Sequence, residues 1–270
     1  MQTKQSEGSV DVTYERHGNG RPLVLLHGGM APREYWNPVL PHLDEYAAIV
    51  PQRPGFGTCL DGPNETTADE VLNREVEYVR TFVDAVDEEP VLLEHSYGAL
   101  TAIEAAKEAS VAGVVAYEPA ALPEDYRANA DLADRMQTLI DAGKRREAVK
   151  CYIEEVLHPD GIDDLDVWLA EWPVWPECVQ LAEEVVRMNR AVELYHLPNR
   201  LDVSVPVLVL TGTSGPDFLR ESARDIHRGI PHSRFVEFDG VSHSGPAEAP
   251  KRTFLEIDSF LRAHSLVSQI

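Results

Sequence analysis

Long apolar runs are missing from this 270-residue chain. No stretch approaches the roughly 20 apolar residues that a membrane-spanning helix needs. The first residues, Met1 to Gly8, also lack the basic and apolar regions of a secretory signal. A soluble, cytoplasmic protein is therefore expected. Cysteine is scarce: Cys59, Cys151 and Cys178 are odd in number and show no paired spacing. That argues against a disulfide framework and against a thiolate metal site, and no metal is expected. Positive charge is the third shortage, with 24 basic residues against 46 acidic ones and a net charge of −22. Phosphate binding needs Lys and Arg clusters, so neither nucleic acid nor an anionic membrane is an expected partner. Only five of the basic residues are Lys. An acidic, Lys-poor surface suits a salt-rich cytoplasm, where screening removes self-repulsion; an ordinary acidic surface is the alternative.

What the chain does contain is a rhythm of short apolar runs and helical patterns. Val10 to Arg16 alternates apolar and polar residues and reads as a half-buried strand ending in a turn at His17 to Gly20. Pro22 to Leu26, Ala47 to Val50, Val91 to Leu93, Val111 to Tyr117 and Pro206 to Leu210 are wholly apolar, as suits parallel strands buried on both faces. Arg234 to Phe238 adds a last strand. Helical spacing is expected over Glu34 to Leu43, Thr67 to Val86, Ala99 to Ala109, Pro216 to Gly229 and Glu248 to Ala263. Between 119 and 204 the strand signal disappears. Asp131 to Ala142, Arg146 to Leu157, Asp164 to Glu171 and Cys178 to Tyr195 all carry helical periodicity there. The expected architecture is one α/β unit, a doubly wound and mostly parallel sheet formed by 1–118 and 205–270, interrupted by a helical insertion over 119–204. In such sheets the functional site lies at the carboxyl ends of the strands.

The centre of that edge is Val91 to Leu100, where an apolar strand breaks at Ser96 into a small-residue helix. This is the order of a nucleophile elbow, in which a Ser on a strained turn holds its hydroxyl above the sheet. His95-Ser96-Tyr97-Gly98 fits the second half of the pattern, while Glu94 stands where a Gly is usual. A plain strand-ending turn would carry the same Ser and Gly.

The order His27-Gly28-Gly29, Arg53 to Gly57, His95 to Gly98, helical insert and Gly240 to His243 resembles the α/β-hydrolase family over nearly the whole chain. Within it, the chain resembles the Ser-dependent esterase branch with a helical cap between the sixth and seventh strands. The resemblance implies an α/β-hydrolase fold with 119–204 as the cap, and a serine hydrolase working through an acyl-enzyme without a cofactor. It departs from the family at Glu94 and at Pro51, where an Asp is common.

Each reacting group then has a candidate. Ser96 Oγ needs a base. Of the ten His, His243 follows the last strand by a Gly-containing loop and matches the family's catalytic position. His27 resembles an oxyanion-loop residue, and His95 points away from Ser96. A carboxylate must orient the base, and two compete. Asp217 lies near the family's commonest acid position, but as a first-turn helix residue it is already explained by the helix dipole. Glu118 ends an apolar strand at the active edge, where an unpaired charge is costly. Some family members, dehalogenases among them, carry the acid there, and Glu118 is preferred. Backbone N–H groups of Gly29 and Tyr97, with Met30 as neighbour, are expected to form the oxyanion hole. Glu94 would be buried beneath the site, with Arg53 as the first partner to test and a structural pair the expected reading. Trp168, Trp172 and Trp175 read as the insert's core, with pocket lining as the alternative.

The expected substrate is a small molecule, an apolar or aromatic ester or lactone. A carbon–carbon bond hydrolase or perhydrolase would use the same residues. A non-catalytic ligand-binding protein on the same scaffold is the reading from another class. The oligomeric state is open.

Overall fold

Continuous apolar runs decide the sheet. The computed structural model describes residues 2–4, 12–53, 67–84, 86, 88–157, 163–171 and 175–267. Among the described residues, eight strands form one sheet: β1 (Gln2–Lys4), β2 (Val12–His17), β3 (Arg21–Leu26), β4 (Tyr46–Pro51), β5 (Val91–His95), β6 (Gly113–Tyr117), β7 (Val207–Gly212) and β8 (Arg234–Phe238). Their order is β1-β2-β4-β3-β5-β6-β7-β8, parallel except where β2 pairs antiparallel with β1 and β4. Along β3, Leu23 and Leu25 enter one core while Val24 and Leu26 enter the other. Along β6, Val114 and Ala116 separate from Val115 and Tyr117 in the same way. Both faces must therefore be covered by helices, which is why these runs are continuously apolar.

Helices α1 (Ala68–Val83), α2 (Tyr97–Ala105) and, later in the chain, α9 (Asp217–Gly229) cover one face, and α11 (Pro250–Ala263), which follows the single turn α10 (Gly245–Glu248), covers the other. The start of α1 is fixed by a capping box: Glu70 N donates to Thr67 Oγ1 at 3.3 Å, and Thr67 N donates to Glu70 Oε2 at 2.7 Å. That satisfies two of the helix's orphan N–H groups.

Several elements depart from the sequence expectation. Glu34 to Leu43 is not one helix but two 3₁₀ turns, Arg33–Trp36 and Leu40–His42, because Pro38 and Pro41 cannot donate to a continuous ladder. β1 is short and polar, so nothing in its pattern announces an edge strand. Val10 and Asp11, the start of the first expected strand, lie outside the described residues.

Between β6 and β7 the chain is helical: α3 (Glu124–Arg127), α4 (Leu132–Asp141), α5 (Arg145–Tyr152), α6 (Leu165–Glu171), α7 (Trp175–Gln180) and α8 (Ala182–Leu194). After Tyr152, α5 widens into a π-helical turn over Ile153–Leu157. The expected helix Cys178 to Tyr195 is divided near Leu181 into α7 and α8. α8 packs on α4 and on α1, which seats the insertion on the sheet unit. An ion-pair chain reinforces that seat. Arg53 Nη1 reaches buried Glu75 of α1 at 3.1 Å, and Arg74 Nη2 reaches buried Glu184 of α8 at 2.6 Å. Arg74 also contacts Glu75 at 3.2 Å, and Arg187 closes the chain on Glu184. Among the described residues, no helix is long and apolar enough to cross a membrane.

Candidate active site

Ser96 sits between the last residue of β5 and the first of α2, with φ 55° and ψ −120°. For a residue with a Cβ this backbone is strained and persists only because its surroundings hold it. Ser96 N donates to Tyr117 O at 2.9 Å, and Ser96 O accepts from Leu100 N and Ala120 N at 3.1 Å each. Gly98 is required beside it: a Cβ there would stand 2.8 Å from Leu26 O and 2.9 Å from His27 O. The helix thus packs on the end of the neighbouring strand β3. A Cβ on Gly28 would stand 2.8 Å from Ser96 Cβ, so the loop after β3 can approach the elbow only as glycine.

Above the elbow lies a cavity of about 650 Å³. Ser96, Tyr97 and Gly29 line it from the sheet unit, while Tyr152, Val185 and Met188 line it from the insertion. Ser96 Oγ makes no hydrogen bond among the described residues. Tyr97 is the first residue of α2, whose N–H has no intrahelical acceptor. Gly29 adjoins Met30, a non-glycine residue at φ 63°. His27 Nδ1 donates to Gly28 O at 2.9 Å and orders this loop. Burial, aided by the Arg53 charge, lowers the His27 pKa to about 3, so its ring stays neutral.

His243 is buried, and its Nδ1 lies 2.5 Å from Glu118 Oε2. Glu118 is fully buried at φ 45°, just past β6. Its other oxygen accepts from Thr211 Oγ1 at 2.8 Å and from Gly212 N at 3.0 Å. A buried carboxylate satisfied on both oxygens is a stable arrangement; one lacking these partners would not be. Asp217 is elsewhere: it is exposed in the first turn of α9 and pairs with Arg220. Gly215 makes the difference legible. A Cβ at 215 would stand 3.1 Å from Glu118 Oε1, so the Glu118 carboxylate fills the space that a side chain from the loop after β7 would take.

The residue before Ser96, which the sequence reading sets aside as a base, contacts His243. His95 Nε2 donates to the carbonyl oxygen of His243 at 2.8 Å, and the two rings lie 4.4 Å apart. Tyr35 stacks on His95 at 4.6 Å, and Tyr117 Oη donates to Ser242 O at 2.6 Å. His95 does turn away from the cavity, but it turns toward the loop that carries His243. Burial holds its pKa well below the usual imidazole value.

The expected Glu94–Arg53 ion pair is not formed. Arg53 bonds Glu75 and lies 5.3 Å from the centre of the Tyr97 ring, so its charge acts on Glu94 only from a distance. Glu94 is fully buried, and neither carboxyl oxygen has a hydrogen-bond partner among the described residues. Desolvation raises its pKa well above the usual carboxylate range, so it is held protonated. Trp175 is buried in the core that the insertion shares with one face of the sheet, and Trp168 packs against it; neither lines the cavity. Trp172, Cys59 and residues 54–57 of the Arg53 to Gly57 run lie outside the described residues.

The alpha/beta hydrolase family model matches residues 23–257. A curated relative from Acinetobacter baylyi, (E)-2-((N-methylformamido)methylene)succinate hydrolase, is 25% identical, with 96% of this chain and 97% of the relative covered. Among solved structures, an alpha/beta hydrolase from Sphaerobacter thermophilus superposes with a TM-score of 0.76 at 24% identity, covering 94% of this chain and 100% of its own. An esterase from Rhodococcus superposes with a TM-score of 0.70 at 21% identity, covering 96% and 97%. The match over the sheet unit and the insertion together establishes that the chain belongs to the alpha/beta hydrolase family.

Proposed function

We propose that the protein is a serine hydrolase that cleaves small, uncharged, apolar or aromatic esters or lactones through an acyl-enzyme, with no cofactor. The observation that carries this reading is the buried His243–Glu118 pair at 2.5 Å, set behind a strained Ser96 that opens into a cavity. In this reading Ser96 Oγ attacks the ester carbon while His243 Nε2 takes its proton. Glu118 holds Nδ1–H and stabilises the imidazolium that forms. The N–H groups of Gly29 and Tyr97 receive the developing oxyanion. His243 then protonates the leaving alkoxide, and water repeats the sequence on the acyl-enzyme. In this reading the Ser96–His243 hydrogen bond tightens when substrate fills the cavity, as is common for catalytic contacts.

A cavity of about 650 Å³ lies in the range that encloses small ligands. Its apolar lining includes Leu122, Val156, Val192 and Phe218, whereas its charged lining is Asp125, Glu155, Glu193 and Glu221. No Lys, Arg or His lines it among the described residues. A dicarboxylate such as the succinate in the Acinetobacter relative's name would meet four carboxyl side chains and no Lys or Arg on this lining, so that substrate is not carried over. The residues 1–118 and 205–270 act as the hydrolase core and 119–204 as its cap, and we place the protein in the cytoplasm. Ser96→Ala, assayed on p-nitrophenyl butyrate, tests the reading. Turnover should vanish with the melting temperature unchanged, and retention of more than a few per cent would place the chemistry elsewhere. Carbon–carbon bond hydrolysis on the same residues would show itself as turnover of a vinylogous diketone in the absence of ester turnover.

A further inference from the structure

Tyr152 is the last residue of α5, at the point where the helix widens into the π turn. Such insertions often mark functional positions. The side chain is 7% exposed and lines the same cavity as Ser96. Its hydroxyl stands 3.0 Å from the position a Cβ on Gly29 would take, so it reaches across from the insertion to the oxyanion loop. Among the described residues this hydroxyl makes no hydrogen bond. Other tyrosines differ: Tyr117 Oη donates to Ser242 O and Tyr195 Oη to Glu104, while the unpartnered hydroxyls of Tyr35 and Tyr97 are sealed within protein. Tyr152 Oη is neither bonded nor sealed. Packing alone would be served as well by Phe, because a hydroxyl withdrawn from bulk water without a partner costs free energy.

We propose that Tyr152 Oη donates a hydrogen bond to the acyl oxygen of the bound ester, as a third donor beside the N–H groups of Gly29 and Tyr97. This rests on the serine-hydrolase reading above. When Ser96 Oγ bonds to the acyl carbon, the carbonyl π pair moves onto that oxygen and the Ser96 proton moves to His243. Tyr152 keeps its own proton throughout and only shortens its hydrogen bond as the oxygen becomes negative. Burial raises the phenol's pKa above its ordinary value, which keeps that proton in place at working pH. The donor comes from the insertion and the other two from the sheet unit, so the complete oxyanion site exists only when the two are seated together.

Tyr152→Phe tests this on three readouts: kcat and KM for p-nitrophenyl butyrate, the inhibition constant of an aryl trifluoromethyl ketone, and labelling by a fluorophosphonate. The ketone forms a tetrahedral adduct on Ser96 that carries the oxyanion. The proposal predicts a loss of kcat on the order of 100–1000-fold, the scale of removing one oxyanion donor. Ketone affinity should fall by the same factor, with KM little changed, Ser96 still labelled and the melting temperature held or raised. Unchanged kcat, or a loss confined to KM, would overturn it. So would a lowered melting temperature, which would give the hydroxyl a structural partner. Failure of the wild type to label at Ser96 would instead sink the serine-hydrolase reading on which it stands.

Discussion

The carboxylate that meets His243 comes from the end of β6, not from the loop after β7: Glu118 Oε2 lies 2.5 Å from His243 Nδ1, while Asp217 is turned to Arg220. Glu118→Gln should therefore cut turnover on the order of 10⁴-fold with folding preserved, since the amide leaves the imidazole in the wrong tautomer. Asp217→Asn should leave kcat unchanged and cost at most about 1 kcal/mol of stability through the helix dipole. The reverse pattern in a side-by-side assay of the two variants would reject this assignment.

His95 predicts a different kind of defect. It touches the carbonyl and the ring of His243, so on the proposed mechanism it would position the base from behind. In His95→Phe, kcat should fall by roughly tenfold or more while KM holds, as expected when a catalytic group is displaced by a fraction of an ångström. The pH at half-maximal kcat/KM should also shift, because the environment of His243 changes. A variant that loses stability yet keeps both kcat and the pH profile would make His95 a packing residue only.

Much of this was legible in the sequence, for physical reasons that also show where reading stops. Parallel strands buried on both faces must be apolar throughout, so β3 to β7 stood out, and β8 was placed over the residues it occupies. Glu118 stood out because a charge ending such a run demands a partner. The edge strand β1 and the split of Glu34 to Leu43 were missed: one carries no apolar signal, and in the other two prolines outweigh spacing. The contact of His95 with His243 spans 148 residues and depends on how the last loop folds back, which no local pattern encodes. A buried Glu94 calls for a cation and Arg53 is the first one to test, but Glu75 of α1 takes the guanidinium instead.

The buried ionisable groups set the pH dependence of stability, with opposite signs. Glu94 keeps its proton when folded, whereas the unfolded chain loses it above the ordinary value of 4.5. Its contribution is therefore present below about pH 4.5 and is lost as pH rises above it. His27 and His95 are held neutral when folded and take up protons when unfolded below the ordinary value of 6.5, so they remove stability as pH falls through 6.5. Melts of wild type and Glu94→Gln at pH 4 and pH 8 separate the two. The melting temperature of the variant relative to wild type should be higher at pH 8 than at pH 4. An equal difference at both pH values would mean that Glu94 does not carry the shift.

A net charge of −22 self-repels when unscreened. The melting temperature should rise from low salt to molar KCl, with exposed ion pairs such as Arg262–Glu45 and Arg145–Glu183 too weak to reverse the trend. A flat or falling melting temperature would remove the case for adaptation to a salt-rich cytoplasm.

The central claim is that Ser96 is the nucleophile, activated by His243 and opening into the cavity above it. Intact-mass analysis after reaction with a fluorophosphonate, followed by peptide mapping, measures this directly. One adduct per chain on the peptide carrying Ser96, lost in Ser96→Ala and slowed on the order of a thousandfold or more in His243→Ala, is the predicted result. An adduct on another residue, or labelling that proceeds at the wild-type rate without His243, would contradict the account.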